Sequence, residues 1–208
     1  NNENYLKVIV CQIVRLFKDG QIIKMSKREG NFVTLKNILN DVGKDSLRYF
    51  MISTKNETPI DFNFDKVIAK NKDNPVFYCQ YAYARASSII NKSKDYDEFK
   101  NLSQLFNMFD YSKLSQYEWN IILKIISWPY LLKQTSNSHQ PHKLTNYIED
   151  LSSNFHSFWN MGKDNKNLRF LDLNNKKKTI TKLLWIECFR IVLKRCFEII
   201  GIESHEKM

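Results

Sequence analysis

Lys24-Met25-Ser26-Lys27 places two ammonium groups three residues apart with a hydroxyl between them. Such a pair can surround a triphosphate. Its charge would stabilise the negative charge that builds on a departing pyrophosphate. Gly30 follows in the same polar stretch and lets the backbone bend. A lone Lys-x-x-Lys is more often an exposed basic turn, so the weight falls on the longer string KMSKREGNFVTL around it.

A second group of chemistry-bearing residues lies further along. Tyr78 and Tyr81 are three apart and share one face of a helix, with Asn74 one turn back and Arg85 continuing the stripe. Single-stranded RNA loops expose base faces that stack on aromatic rings, at about 1–3 kcal/mol per base. Half-buried core tyrosines would show the same spacing.

Elements of two kinds must position these residues. Leu6 to Leu16 is rich in β-branched residues and predicts a strand buried on at least one face. Asp19-Gly20 signals a hairpin turn, with Gln21 to Lys24 as the short return strand. Thr34 is expected to cap a helix from Leu35 to Val42 that Gly43 ends, and Asp45 a second helix to Ile52. Asn56 to Phe64 reads as a connector.

Beyond it the sequence is helical. Asn74-Pro75 starts a helix to about Asn91, Ser115 and Glu118 form a capping box, and Pro129 should kink the helix that follows. A loop is expected at 135–142. Leu144, Tyr147, Ile148, Leu151, Phe155 and Phe158 then keep helical spacing, and a last helix spans about Lys177 to Ile200 before Gly201. The segment 92–114 shows no clear pattern.

The fold class expected is therefore mainly α. A short β-hairpin precedes an all-α helix bundle, with domains at 1–73 and 74–208.

Bulk composition fits a packed protein with a polyanionic partner. Hydrophobic residues at 43% are enough for a core, and 5 Gly with 4 Pro favour long regular elements. Lys plus Arg exceed Asp plus Glu by 32 to 22, a formal charge of +10, and clustered cations displace counterions from phosphate backbones. The four cysteines form no C-x-x-C pair and read as reduced core thiols. His139 and His142 form H-x-x-H without a third ligand nearby, so no metal site is expected. Lys176-Lys177-Lys178 reads as a solvated helix start. No apolar run reaches the ~18 residues of a membrane span.

Three strings carry a resemblance. KMSKREGN resembles the KMSKS signature loop of class I aminoacyl-tRNA synthetases, with Arg28 in place of the final Ser, a form familiar in bacterial arginyl-tRNA synthetases. Asp45-Ser46-Leu47-Arg48 is similar to a D-A-L-R pattern found after that loop, and no chemistry is assigned to it. The stretch from Asp73 to Arg85 is similar to the arginyl-tRNA synthetase pattern D-N-P-x-x-Y-x-Q-Y-A-H-A-R, with Tyr83 where His is usual.

The resemblance implies that the short hairpin is the remnant of a class I nucleotide-binding catalytic domain and the bundle an anticodon-binding domain. It further implies that Lys24, Met25, Ser26, Lys27 and Arg28 close over ATP, with Lys24, Ser26 and Lys27 catalytic. Asn74, Tyr78, Tyr81, Arg85 and Met208 would bind tRNA. ATP with Mg2+, arginine and tRNA-Arg are the implied cofactors and partners, and a cytoplasmic monomer is expected. The alternatives are a non-catalytic tRNA- or RNA-binding module, or a class I synthetase for methionine or cysteine. The second class I signature, His-x-Gly-His, does not occur among His139, His142, His156 and His205. The chain is thus read as part of a longer enzyme that does not activate arginine alone.

Overall fold

The computed structural model describes residues 8–23, 33–69 and 71–208. A hairpin of β1 (Val14–Lys18) and β2 (Gln21–Ile22) turns through Asp19 and Gly20 at φ 50° and 73°. Two positive φ values in a two-residue loop match the twist of the flanking strands, as the Asp-Gly pair predicts.

The strand itself is displaced from its expected place. Among the described residues of the expected 6–16 the ladder takes up only 14–16 and runs on to 18, and Val8, Val10 and Ile13 are 73%, 79% and 69% exposed. β-Branched residues favour a strand only where a partner exists, and both partners pair with 14–18 alone. The second partner is β3 (Ile60–Asn63), parallel to β1 with Val14 opposite Ile60 and Leu16 opposite Phe62. It lies inside the expected connector, where Ile60 and Phe62 alternate with Asp61 and Asn63 too briefly to read as a strand.

Thr34 caps α1 (Leu35–Val42), its hydroxyl accepting from the Asn37 N–H at 3.1 Å, and Gly43 ends it at φ 79°. Helix α2 (Lys44–Ile52) then starts from Gly43, not from Asp45 as expected. The Asp45 carboxylate is turned away to other partners. After β3 comes α3 (Phe64–Ile68), capped by Asn63. Leu16, Ile38, Leu47, Phe62, Phe64 and Val67 form one apolar cluster.

A larger cluster fills the bundle of α4 (Pro75–Ser93), α5 (Gln116–Ser138), α6 (His142–Asp164) and α7 (Lys176–Ile200). Tyr49 of α2 belongs to it and is fully buried. Four single-turn 3-10 helices between residues 97 and 113 join α4 to α5. Helix α5 continues past Pro129 to Ser138, and His139 at φ 54° stops it, so most of the loop expected at 135–142 is helix. Its Ser and Asn residues are largely exposed and tolerated there, while Thr135 is buried. Of the cysteines, Cys79 and Cys196 are core thiols, burial pushing Cys79 up to about 12, but Cys11 is exposed and Cys188 half-buried. Lys176 is paired with Glu98 at 2.8 Å.

One polar pair was not visible in sequence. Glu118 and Lys182 are each 1% exposed. The Lys182 ammonium lies 3.9 Å from the carboxylate and donates to the carbonyls of Arg169 at 2.9 Å and Asn167 at 3.4 Å. Glu118 accepts from the Trp185 indole at 3.3 Å and from the Ser115 hydroxyl and N–H at 2.7 and 2.9 Å. Buried charges persist only with such company.

Burial drives the Lys182 ammonium down to about 8, with Glu118 opposing. A lysine depressed in the folded state carries a penalty below pH 8 that is relieved as pH rises toward its unfolded value of 10.5. Lys182→Met lacks this titration. Wild-type stability is therefore expected to rise relative to that variant between pH 8 and 10.5, measured by urea unfolding of both proteins. Parallel pH profiles would contradict it.

Candidate nucleic-acid interface

Helix α4 carries the aromatic stripe, and Asn74 sets where it begins. The Asn74 Oδ1 accepts from the N–H groups of Val76 and Phe77 at 3.1 and 3.4 Å, and its Nδ2 donates to the Val67 carbonyl at 2.8 Å. Asn74 is only 5% exposed. Its amide is engaged in capping and in tying α3 to α4, so it does not join Tyr78 and Tyr81 on the surface as the spacing suggested.

Tyr78, Tyr81 and Arg85 do line one face, which packs on α6 at His156 and Trp159. The Arg85 guanidinium lies 4.1 Å from the Tyr81 ring centre and 5.0 Å from that of Trp159, and one Nη donates to the Tyr81 hydroxyl at 3.0 Å. The other Nη lies 3.1 Å from His156 Nδ1, and His156 Nε2 lies 3.1 Å from the Tyr78 carbonyl. Guanidinium can only donate, so Nδ1 must accept and Nε2 must carry the proton that goes to Tyr78. Burial is the largest influence on His156 and, with the Arg85 charge, holds it below its usual value against the Tyr78 bond. A neutral imidazole thus fixes the arginine and both tyrosines. The tilted Tyr78 ring lies 4.4 Å from it and the Tyr81 ring 5.7 Å.

The two tyrosines open onto different hollows. Tyr78 borders one of about 450 Å3 that also carries Lys72, Glu149 and Asp150. Tyr81 and Arg85 border another of about 540 Å3, completed by Trp159 and by Glu206, Lys207 and Met208 of the tail, with the Glu206 carboxylate 3.5 Å from Arg190. Arg85 makes no ion pair among the described residues. That leaves a cation flanked by two aromatic rings at a surface hollow, an arrangement suited to a base and its phosphate.

Met208 reaches this hollow because the tail is held in several places. Gly201, at φ 71°, ends α7 and reverses the chain, and Ile202 is buried. The Glu203 N–H donates to the Asp45 carboxylate at 3.0 Å, while the Gln80 amide donates to that carboxylate at 3.0 Å and to the Glu203 carbonyl at 2.9 Å. Arg48 donates to the Ile200 carbonyl. The Asp45-Ser46-Leu47-Arg48 stretch, given no chemistry on sequence, is therefore the clamp on the tail. His156 and Trp159 were also missed. Their one signal was a three-residue spacing on an amphipathic helix whose other members are core. Lys24, Met25, Ser26, Lys27 and Arg28 lie outside the described residues; the stretch is bracketed by β2 and by the Thr34 cap of α1.

This fold has known counterparts. The chain belongs to the DALR anticodon binding domain family, whose model matches residues 79–208. Residues 1–63 match a second family, tRNA synthetases class I (I, L, M and V). The curated relatives are arginine–tRNA ligases: that of Bartonella bacilliformis is 37% identical over 208 residues and that of Agrobacterium fabrum 38% over 206. The alignments cover 100% and 98% of this chain but 36% and 35% of the relatives, so the chain spans about a third of their length. A solved structure from Campylobacter jejuni, described as an arginyl-tRNA synthetase, superposes with a TM-score of 0.75 at 26% identity, over 95% of this chain and 40% of that one.

Proposed function

We propose that this chain is part of an arginine–tRNA ligase and holds the anticodon loop of tRNA-Arg in the Tyr81–Arg85–Trp159–Met208 hollow. The placement between two aromatic rings of an arginine with no ion pair among the described residues, with the tail folded against it, supports this reading most directly. In the full-length protein the arginine carboxylate attacks the α-phosphorus of ATP and displaces pyrophosphate. The arginyl group then passes to the tRNA 3′ end and AMP leaves. Lys24 and Lys27 meet the phosphates, Ser26 and the backbone hold the loop, Met25 packs beneath the adenine and Arg28 extends the cationic rim. Magnesium enters with the nucleotide. No group of three His, Cys, Asp or Glu side chains among the described residues could hold a metal ion, so none is assigned as its ligand.

Residues 1–73 are the end of the catalytic domain and 74–208 the anticodon-binding domain. Tyr81, Arg85 and Met208 touch RNA, whereas Asn74 and Tyr78 position them. The protein acts as a cytoplasmic monomer. No helix among the described residues is long and apolar enough to cross a membrane.

Tyr81→Ala is expected to weaken tRNA-Arg binding by the value of one stacked base, about 1–3 kcal/mol or roughly 5- to 150-fold. Filter binding to purified tRNA isoacceptors measures it. Preference of the wild-type protein for a methionine or cysteine tRNA would overturn the assignment, and affinity should fall steeply with salt.

A further inference from the structure

The hollow beside Tyr81 does not end at Trp159. Ser88 and Trp159 line it and also line a second pocket of about 490 Å3, within the usual range for ligand pockets. The walls of the second pocket are Ile89, Trp159, Phe170 and Leu171. Three cations stand around them: Lys92 at the end of α4, Lys163 at the end of α6, and Arg169 in the segment that follows.

Among the described residues no acidic side chain lines this pocket. Among the described residues none of the three cations is in an ion pair. The Arg169 Nε donates to the Gly162 carbonyl at 3.3 Å, which holds the side chain at the exit of α6. Gly162 itself presents no side chain at this edge. On the other side of the stripe, the hollow beside Tyr78 carries two carboxylates, Glu149 and Asp150, against one cation, Lys72, and so favours phosphate less than a pocket lined by cations alone.

Apolar walls suit the faces of an unstacked base, and uncompensated cations suit the phosphate attached to it. We propose that this pocket is a second nucleotide subsite, taking the base and phosphate that neighbour the nucleotide held at Tyr81. The occupant is single-stranded RNA, and its backbone runs from Tyr81 toward Lys92 and Lys163 rather than toward the acidic side. The inference rests on the reading of the Tyr81 hollow as an RNA site.

The test uses the full-length protein and an anticodon stem-loop of tRNA-Arg carrying 2-aminopurine at each loop position in turn. Two adjacent positions are expected to change fluorescence on binding. Tyr81→Ala should abolish the change at one of them. Lys92→Glu with Lys163→Glu should abolish it at the other, even at saturating protein, while the Tyr81-dependent signal persists. That double variant should also bind at least tenfold more weakly and make the dependence of log affinity on log salt shallower by about two. A Lys177→Glu/Lys194→Glu control, on α7, which lines neither pocket, makes the same charge change and should leave both signals in place at saturation.

If Tyr81→Ala responds as stated but the lysine double variant leaves the neighbouring signal intact, or acts no differently from the control, the second subsite is refuted and the first stands. If the wild-type protein does not bind the loop, both are refuted.

Discussion

Lys24→Ala or Lys27→Ala in the full-length protein is expected to slow arginine-dependent ATP–pyrophosphate exchange by roughly a hundred- to a thousandfold each. In the role proposed for them, the charge these ammonium groups meet is greatest when the bond to pyrophosphate is breaking. Their loss should therefore fall on kcat more than on the KM for arginine. Lys→Arg at either position keeps the charge but replaces a compact ammonium with a planar fork, and should recover only part of the rate. Binding of tRNA is the internal control. On the reading above it depends on the Tyr81 hollow and should be unchanged in the alanine variants. Exchange at the wild-type rate in the double alanine variant would remove the assigned role of the loop.

Glu118→Ala is the second large effect, on stability. It should lower the unfolding free energy by about 3–5 kcal/mol, because it leaves the Lys182 ammonium buried without its counter-charge. The same change removes the acceptor for the Trp185 indole and for the Ser115 N–H and hydroxyl at the start of α5. Lys182→Met should cost less: it deletes the charge along with its need for a partner and leaves Glu118 with three donors. Urea unfolding of the two variants beside wild type gives the order. If Glu118→Ala proved the milder of the two, the buried pair would not be what joins α5, α7 and the segment 165–169.

What could be read from sequence follows a physical rule. Thr34, Asn74, the Ser115–Glu118 capping box and Gly201 were all correct, because a cap is a bond between neighbours two to four residues apart. The Asp-Gly turn was correct for the same reason. Asp45 was misread because it has a capping residue's identity but a partner 158 residues away, in the tail. Glu118 was half-read: the local bond to Ser115 was visible, the buried lysine 64 residues on was not. Strand β3 failed because a four-residue ladder is defined by its neighbour, not by its own pattern. Around the Tyr81 hollow, the shared face of Tyr81 and Arg85 was legible from spacing on one helix. His156 and Trp159 were not, since they meet that helix only after α6 folds against it.

Helix α2 has a practical consequence for dissecting this chain. It puts Leu47 into one apolar cluster and Tyr49 into the other, and from the same two turns sends Asp45 and Arg48 to the tail. A recombinant piece cut at Asn74 would carry four intact long helices yet have an empty slot where the Tyr49 ring sat. The Gln80 amide, the Glu203 N–H and the Ile200 carbonyl would each lose a bond in it. Met208 would then swing free of the hollow it completes. A cut ahead of Gly43 would keep the plug and the tether together.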